Sequence, residues 1–513
     1  MQAHPAWDEQ YEVVVVGSGF AGLAAAISAH DAGAHVLVIE KMAFPGGISI
    51  LAGGGICTAR DADEAFSYLQ HTNAGTAPDD VLRCLADGMS DIHEWVTPLA
   101  AACGAGVEFV ERTPNYPFPG RDTFRFLTIP KVPDFEREKE FPHARTYGLG
   151  PNFYKVMWEA LKSRGIEVRL SCPAQRLIAD PDKTVRGLQI AHEGVSRTVR
   201  ASRGVVLACG GFEAAPDLQR QFWQGKPVLT AVHRGNTGDG IRMAQDLGAA
   251  LWHMWHYHGS YGFRHTDPAF DFGIRTKKLP DYVVGERVRD GVAVPWILLD
   301  RTGRRFMNEH EPYLSDTGHR PLERFDPLIQ DYPRIPCWML LDDNGRQRFA
   351  LGQPCWNDDR VAYEWSADNL EEVELGILRQ ADSLEGVAAI AELDADVVRA
   401  TVDKWNAACA AGKDNAHHRP PEAMLPIAQP PFYIAEIWPI VSNTQGGPVH
   451  DARQRIIDAF GAPIPRLFAA GELGSVFGHL YVSGGNLAEC FVGGRKAGTE
   501  VAALPDAARP CSS

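Results

Sequence analysis

The hydrophobic pattern near the start of the chain alternates between apolar runs and a segment of small residues. Glu12–Val16 and His35–Ile39 are short apolar runs, and Ala21–Ala32 between them is rich in alanine. Short continuous apolar runs are typical of buried strands, and a longer small-residue segment that joins two of them is typical of a helix packed on a sheet. The pattern therefore predicts a β-α-β unit with parallel strands, which is the beginning of an α/β fold.

Helices and strands continue to alternate after this unit. Apolar spacing predicts helices over 78–103 and 150–165, and a strand over 166–170. Alternating residues from 175 to 199, interrupted by turn signals, predict a β-meander that leads into an apolar strand over 204–208. Together these elements predict a Rossmann-like domain with a parallel sheet and a β-meander.

The middle of the chain has a different character. From about residue 256 to 435, prolines, tryptophans and irregular polar turns dominate, and helical patterning is confined to about 368–380 and 394–411. The strand–turn–helix pattern then returns, and a chain of 513 residues exceeds the usual size of one domain. We predict a Rossmann-like domain formed by 1–255 and 436–513, with an inserted α+β catalytic or cap domain over 256–435.

Composition and charge narrow the functional classes. Hydrophobic residues make up 45% of the chain, and the net charge of −15 argues against nucleic acid or an anionic membrane surface as a partner. The ten cysteines form no CxxC pair, which argues against a cysteine metal site. The acidic amino terminus does not resemble a signal peptide, and no apolar stretch of about 18 residues predicts a transmembrane helix. We expect a cytoplasmic enzyme without a bound metal.

A glycine motif follows the first predicted strand directly. Gly17, Gly19 and Gly22 form a GxGxxG that opens the predicted helix. In such a turn the first glycine permits the sharp bend, the second lets the backbone approach a pyrophosphate, and the third allows close helix–strand packing. Glu40 ends the second strand, where a carboxylate can bind a ribose hydroxyl. The combination predicts a dinucleotide site.

A second glycine-rich loop indicates which dinucleotide is bound. The segment 46–54 contains Gly47, Ser49, Gly53 and Gly54 and lies close in sequence to the first motif. NAD dehydrogenases have no need of such a loop, whereas a flavin needs close backbone along its ribityl chain and ring. The sequence therefore predicts non-covalently bound FAD.

With the GxGxxG, five further motifs occur in an order that resembles the fumarate reductase/3-ketosteroid dehydrogenase family of FAD-dependent flavoproteins. They are Glu40-Lys41, the GGxSxxAGG-like run at 46–54, ACGGF at 208–212, GNTGDG at 235–240 and AGE at 470–472. The resemblance implies that Glu472 binds a hydroxyl of the flavin sugar chain, and that Gly484-Gly485-Asn486 opens a helix whose dipole supports charge on reduced flavin. It also implies cofactor contacts at Lys41, Ala174, Gly210, Asp239, Gly471, Asn486 and Leu487.

The positions that bind a dicarboxylate in the fumarate reductase branch carry other residues in this chain. That branch has an arginine after an RFxNE segment, a second arginine before the terminal GGN and a histidine before a TxGG turn. The residues in those places are Tyr313, Val482 and Asn443. A site without these groups cannot form forked, charge-assisted bonds to two carboxylates. Fumarate reduction is therefore disfavoured.

The replacements resemble the ketosteroid dehydrogenase branch, whose members remove hydrogens from the carbons α and β to a ring ketone. The resemblance implies an oxyanion hole formed by Tyr481 and the backbone N–H of Gly485, with Tyr313 as the base that takes the α-proton. Because an unperturbed tyrosine has a pKa of about 10, it is a poor base at neutral pH unless its proton is relayed. The hydride from the β-carbon goes to flavin N5.

Ser483 bears on the position of the new double bond. Δ1-dehydrogenases usually have glycine in this place, whereas Tyr481-x-Ser483 resembles the Δ4-(5α)-dehydrogenases, in which the serine is thought to join the tyrosine in proton abstraction. The resemblance favours the Δ4-(5α) type over the Δ1 type. The alternative interpretation is that Ser483 caps a helix.

Three histidines, His253, His256 and His258, lie close together where the predicted domains meet. They could bind a metal, but such alternation is more typical of a strand with one wet face. We expect a strand that contributes to the wall of the flavin pocket.

These observations predict FAD-dependent desaturation of a cyclic ketone, with a 3-oxosteroid as the favoured substrate and an electron acceptor that the sequence does not identify. A smaller alicyclic ketone is an alternative, because pocket volume depends on the inserted domain. An enone or enoate reductase would run the same half-reaction backwards. A non-catalytic flavoprotein or electron-transfer subunit is a further alternative, which leaves both tyrosines unexplained.

Overall fold

The computed structural model describes residues 7–111, 116–282, 292–353 and 363–507. Its strands are β1 (Glu9–Val16), β2 (Val36–Ile39), β3 (Ile56–Ala59), β4 (Glu108–Val110), β5 (Phe124–Thr128), β6 (Glu167–Arg169), β7 (Ala174–Ala179), β8 (Val185–His192), β9 (Val195–Leu207), β10 (Leu229–Thr230), β11 (Leu251–Trp252), β12 (Tyr257–Arg264), β13 (Gly273–Arg275), β14 (Trp296–Leu299), β15 (Cys337–Asp342), β16 (Arg379–Ala381), β17 (Phe432–Thr444), β18 (Gly447–Pro448), β19 (Arg455–Ile457) and β20 (Pro463–Ala469).

The α-helices are α1 (Phe20–Asp31), α2 (Ala62–Asn73), α3 (Asp79–Ala102), α4 (Arg137–Glu140), α5 (Gly150–Ser163), α6 (Pro216–Phe222), α7 (Asp239–Asp246), α8 (Leu314–Thr317), α9 (Asp343–Arg346), α10 (Leu370–Glu374), α11 (Leu384–Ile390), α12 (Ala395–Ala411) and α13 (Gly485–Ala502). Within the described ranges, no helix combines the length and the apolar character needed to cross a membrane.

The chain divides into two compact units. The first comprises 1–215, 233–257 and 443–513, and the second comprises 216–232 and 258–442. The second unit thus takes in 216–232, which the predicted domain bounds assign to the Rossmann-like domain. Each unit contains a main sheet of its own.

The first unit is built on an eight-stranded sheet in the order β19-β20-β9-β1-β2-β6, with β8 paired to β9 and β7 paired to β8. β1 runs parallel to β2 and β9, with Val13 opposite both Val36 and Gly204. Val13–Val16 are buried, which is why the strand is a continuous apolar run rather than an alternating one. β7, β8 and β9 form the antiparallel meander. The predicted α/β fold with a Rossmann-like parallel sheet is confirmed.

Helix α1, near the amino terminus, packs against helix α13, near the carboxyl terminus. A methyl group at Gly494 would lie 2.5 Å from the carbonyl oxygen of Ala21, and one at Gly498 would lie 2.2 Å from that of Ala25. Larger side chains at these two glycines would therefore force the helices apart. The small residues of α1 thus serve close helix packing.

The second unit is built on a seven-stranded sheet in the order β13-β12-β17-β15-β14, with β10 and β16 also paired to β17. Along β14, Trp296 and Leu298 belong to one buried cluster, and Ile297 and Leu299 belong to another. Trp405 of α12 packs in the second cluster. Both faces of the sheet are therefore covered, and the predicted helix over 394–411 is confirmed as a core helix.

The predicted helix over 368–380 was wrong for most of its length. Only Leu370–Glu374 is helical, and Gly376 then adopts a left-handed φ of 73°, which ends the turn. Residues 379–381 form β16, which pairs with β17. The helical spacing did not predict this segment correctly, because Gly376 ends the helix and the residues after it pair with β17.

His253 and His256 lie in a turn between β11 and β12, and not on a strand with a wet face as predicted. β11 ends before His253, which has a φ of 34°, and both His253 and His256 are buried. The imidazole of His253 lies 2.9 Å from the carbonyl oxygen of Ser475, and that of His256 lies 2.6 Å from the carbonyl oxygen of Phe477. These side chains satisfy backbone carbonyls inside the first unit.

Candidate active site

The turn between β1 and α1 is tightly packed, and this packing explains why the motif has glycines there. Gly17 has a φ of 109°, and a methyl group there would lie 2.3 Å from the carbonyl oxygen of Ala208. A methyl group at Gly22 would lie 1.9 Å from the carbonyl oxygen of Gly17. Gly19 precedes the first residue of α1 and supplies no capping side chain. The amino-terminal end of α1 is therefore suited to an anion such as a pyrophosphate.

Glu40 lies at the end of β2 beside this turn and is buried. One carboxylate oxygen accepts hydrogen bonds from Ser18 N at 3.1 Å and Ser18 Oγ at 2.7 Å, and the other accepts one from Met42 N at 2.9 Å. Because each carboxylate oxygen can accept more than one hydrogen bond, Glu40 retains capacity for a ribose hydroxyl. Ser18, for which the sequence predicted no role, orients this carboxylate.

Two motifs that are distant in sequence meet at Lys41. Its ammonium group donates to Thr237 Oγ1 at 2.6 Å and to Asp239 Oδ2 at 2.7 Å. The structure thus joins Glu40-Lys41 to the GNTGDG segment, both of which the family resemblance assigns to the cofactor. In contrast, Ala174 begins β7 and pairs there with Ile190, and its cofactor contact stays a prediction.

The second glycine-rich loop is tied to the first by Ser49 and Ser18. Ser49 Oγ accepts the amide of Phe20 at 3.1 Å, and Gly46 N donates to Ser18 Oγ at 3.1 Å. Gly54 leaves no room for a side chain, because a methyl group would lie 2.4 Å from the backbone of Leu149. The two loops therefore form one backbone cradle, as FAD requires.

Gly53→Ala tests whether this cradle contacts FAD. A methyl group at Gly53 would meet no protein atom within 4 Å, so the thermal stability of the apoprotein should not change. If Gly53 lies against the flavin, the added methyl group should weaken FAD binding by about tenfold or more, as for overpacking by 1–3 kcal/mol. Fluorescence titration of the apoprotein with FAD measures this, and unchanged affinity would remove Gly53 from the cofactor site. Gly106→Ala, which also meets no protein atom within 4 Å, is the matched control.

Two buried glutamates, Glu213 and Glu472, lie close to the glycines at 210 and 211. The Nδ2 atom of Asn236 donates to Glu213 at 2.7 Å and to Glu472 at 3.2 Å, and Thr444 N donates to Glu472 at 2.8 Å. A methyl group at Gly211 would lie 1.8 Å from Thr444 Oγ1, so only glycine permits this arrangement. Glu213 was missed by the sequence analysis, although it stands next to ACGGF.

Burial keeps these carboxyl groups partly protonated. It raises the pKa of Glu472 to about 7, and burial together with the neighbouring Glu472 raises the pKa of Glu213 well above its ordinary value. The raised pKa of Glu213 favours its protonated form, which can donate a hydrogen bond to Glu472. The role of Glu472 toward a flavin hydroxyl stays a prediction.

Helix α13 begins at Gly485, as the GGN motif predicts, and its first turn holds a polar network. Asn486 Nδ2 donates to Glu489 at 2.8 Å, and Asn486 Oδ1 accepts from Asn443 Nδ2 at 2.7 Å. Ser475 Oγ contacts Gln445 at 2.7 Å and Glu489 at 2.8 Å. Burial raises the pKa of Glu489 to about 8, so this acid is largely neutral at pH 7. The network holds Asn486 in one orientation at the helix start.

The two residues predicted to form the oxyanion hole, Tyr481 and Gly485, lie at and just before the start of α13. Tyr481 is buried, with its ring 5.6 Å from that of Phe477 in an edge-on arrangement. The amide of Gly485 donates to Val482 O at 2.7 Å within the turn, and its place in an oxyanion hole stays a prediction. Gly485 is also needed for packing, because a methyl group there would lie 2.4 Å from the Phe477 ring.

Ser483 does not cap the helix. The capping position of α13 is occupied by Gly484, which has no side chain that could accept a hydrogen bond from the first amides. The interpretation of Ser483 as an N-cap residue is therefore not supported. Its role in proton abstraction stays a prediction.

Tyr313 belongs to the second unit, where it precedes α8. Its carbonyl oxygen accepts hydrogen bonds from Asp316 N at 3.0 Å and from Thr317 N at 3.1 Å. Four residues earlier, the carboxylate of Glu309 is fully buried and pairs with Arg305 and with Arg419. Tyr313 therefore follows a firmly anchored segment.

Comparison with known proteins places these features in a family. A family model described as "FAD binding domain" matches residues 12–487. The chain is 26% identical to a 3-oxosteroid 1-dehydrogenase of Mycolicibacterium smegmatis, over 98% of this chain and 99% of that protein. It is 27% identical to a digoxin reductase of Eggerthella lenta, over 97% of this chain and 88% of that protein.

A solved structure has a similar fold. The structure of 3-ketosteroid Δ1-dehydrogenase from Sterolibacterium denitrificans in complex with 1,4-androstadiene-3,17-dione matches with a TM-score of 0.76 and 24% identity, over 96% of this chain and all of that chain. The nucleotide-binding turn, Glu40 and the two-loop cradle fit FAD. The predicted family and cofactor are confirmed: the chain belongs to the FAD binding domain family and is an FAD-dependent oxidoreductase.

Proposed function

We propose that the protein removes two hydrogens from the carbons α and β to the carbonyl group of a cyclic ketone, with 3-oxosteroids as the substrate class. The observation that carries this proposal is the segment before α13. It sets the buried Tyr481 four residues before the start of α13, whose capping residue, Gly484, has no side chain. A phenolic hydroxyl and a helix N-terminus both stabilise the negative charge that develops on a ketone oxygen as the ketone enolises.

The remaining groups have distinct roles in this proposal. Tyr313 takes the α-proton, with Ser483 as its partner, and bound FAD supplies the acceptor for the hydride from the β-carbon. The extended likeness to a 3-oxosteroid 1-dehydrogenase supports the substrate class. Ser483 remains the argument for Δ4-(5α) rather than Δ1 desaturation.

Anaerobic titration of the holoenzyme tests the proposal. Saturated 3-oxosteroids and cyclohexanones are added in turn while the absorbance of oxidised flavin is followed. Bleaching by a saturated steroid supports the proposal, and bleaching by cyclohexanones alone assigns a smaller alicyclic substrate. A protein whose flavin responds to no ketone overturns the proposal and supports a role in electron transfer.

An enone reductase is the second candidate, and the likeness to a digoxin reductase favours it. The same residues would then return a proton to the α-carbon. Photoreduced enzyme separates the two directions. Reoxidation by an enone, without any bleaching of oxidised flavin by saturated ketones, would assign the reductase.

Ser483→Ala tests the Δ4 assignment. Because Ser483 does not cap α13, its removal should leave the thermal midpoint unchanged while turnover falls. Turnover and thermal unfolding are both measured on this variant to distinguish a catalytic role of Ser483 from a capping role. A loss of about 1 kcal/mol of stability with unchanged turnover would restore the capping role.

A further inference from the structure

Four side chains around the start of α13 form a closed ring of hydrogen bonds in the first unit. Ser475 Oγ lies 2.8 Å from Glu489 Oε2 and 2.7 Å from Gln445 Oε1. Gln445 Nε2 donates to Asn486 Oδ1 at 3.2 Å, and Asn486 Nδ2 donates to Glu489 Oε2 at 2.8 Å. Ser475, Gln445 and Glu489 are buried, so most of the ring is shielded from bulk water.

The ring is complete only when Glu489 carries a proton. Ser475 has one hydroxyl hydrogen, but it lies within hydrogen-bonding distance of two acceptors, Gln445 Oε1 and Glu489 Oε2. Turning the Gln445 amide around would break its two reciprocal bonds with Asn486, both of 3.2 Å. If the serine donates to Gln445, the second hydrogen must therefore come from the carboxyl group of Glu489. Ionisation of Glu489 leaves the ring one hydrogen bond short.

Burial is the main influence on the charge of Glu489. It raises the pKa of Glu489 to about 8, and the nearby carboxylate of Glu472 acts in the same direction, whereas hydrogen bonds from Val476 N and from the ring favour the charged form. Burial also raises the pKa of the thiol of the next residue, Cys490, which is therefore uncharged at neutral pH. Glu489 is thus a buried acid that changes its charge near pH 8.

Three histidines contact the backbone around Ser475. They bond to carbonyl oxygens within 474–477 at 2.9, 2.6 and 3.1 Å, and they are His253, His256 and His450. Burial lowers the pKa of His253 to about 4 and also lowers that of His450, so both imidazoles are neutral at pH 7. These two histidines hold the backbone in place without adding a positive charge beside the ring.

The ring lies between two segments of the FAD cradle. On one side, Gln445 follows Thr444, whose Oγ1 would lie 1.8 Å from a methyl group at Gly211. On the other side, a methyl group at Gly484 would lie 2.7 Å from the carbonyl oxygen of Gly55, the residue that follows the second glycine-rich loop. Charge that is added to the cofactor in this cradle therefore acts on the carboxyl group of the ring.

We propose that Glu489 takes up a proton from solvent when bound FAD is reduced. Two electrons, supplied by an organic substrate in turnover or by an electrode in the test, add negative charge that favours the neutral form of a nearby carboxyl group. The proton forms an O–H bond on Glu489 that donates to Ser475 and completes the ring, and no electrons are transferred at the carboxyl group. The inference requires FAD to be redox-active, but it does not require the ketone chemistry of the proposed function.

The pH dependence of the reduction potential tests the proposal. Spectroelectrochemical titration of the holoenzyme from about pH 6 to about pH 10 gives the number of protons taken up per two electrons from the slope. If reduction raises the pKa of Glu489 from about 8 to about 9, uptake at about pH 9 should increase by roughly 0.4 proton per flavin. Glu489→Gln cannot ionise and should lack this increase.

Glu500→Gln is the matched control, because Glu500 lies near the other end of the same helix and pairs with Arg453. It should retain the increase in proton uptake that the unaltered protein shows. Equal slopes for Glu489→Gln and the unaltered protein would overturn the proposal. Absence of flavin bleaching by any ketone would instead overturn the proposed function and leave this coupling intact.

A second measurement does not depend on folding of Glu489→Gln. Infrared difference spectra of the unaltered holoenzyme at about pH 9 should show a protonated carboxylic acid band that appears on reduction. Ser475→Ala removes the acceptor of the Glu489 proton and should shift the frequency of this band. Absence of the band, or a band that stays in place in Ser475→Ala, would overturn the proposal.

Discussion

Tyr313→Phe should fold, bind FAD and lose turnover by about 10²- to 10⁴-fold, the range over which a positioned acid or base accelerates a reaction. The substitution removes only the hydroxyl group. The backbone around Tyr313 is held by its carbonyl oxygen, which bonds to the amides of Asp316 and Thr317. Loss of turnover would therefore report chemistry rather than a displaced segment. Steady-state rates with the ketone that bleaches the flavin, together with the flavin-to-protein ratio, provide the measurement.

The control for this variant is Tyr332→Phe in the same unit. The Tyr332 hydroxyl makes a long, exposed contact of 3.4 Å with Gln224, so its loss should leave both flavin content and rate unchanged. If Tyr313→Phe also turns over at the normal rate, Tyr313 is not the base.

Arg419→Leu should lower the free energy of unfolding by about 3–5 kcal/mol, the cost of breaking a buried ion pair by removing one partner. Arg419 is fully buried, pairs with Glu309 and donates to Trp296 O at 2.9 Å. Burial opposes ionisation of Glu309, but Arg419 and Arg305 nevertheless hold its pKa below the ordinary value. Without Arg419, the buried carboxylate of Glu309 keeps Arg305 as its charged partner and one hydrogen bond, from Leu298 N at 2.8 Å.

Denaturant unfolding of the holoenzyme measures this loss. Arg453→Leu is the matched control, because Arg453 pairs with Glu500 on the surface and should contribute about 1 kcal/mol or less. Equal effects of the two substitutions would show that the Glu309 network adds little to stability. A large effect of Arg419→Leu, with turnover retained in the folded fraction, would show that the network anchors the Tyr313 segment without taking part in the reaction.

The local motifs were predictable because they depend on neighbours in sequence. The turn at Gly17, the strand that ends at Glu40 and the helix that starts at Gly485 all appear where the spacing predicts them. Each is a short-range arrangement in which a glycine or an apolar run acts directly on its own backbone. The sequence alone thus determined the α/β fold, FAD as the cofactor and the oxidoreductase class.

Only the tertiary structure decided which distant groups meet. The bridge that Asn236 forms between Glu213 and Glu472, and the engagement of the Gly485 amide by Val482 O, have no signature in residue spacing. The helix expected over 368–380 failed for the same reason, since pairing with β17 determines its second half. Contacts between residues far apart in sequence depend on how the whole chain packs, and burial in that packing sets the protonation of the groups involved.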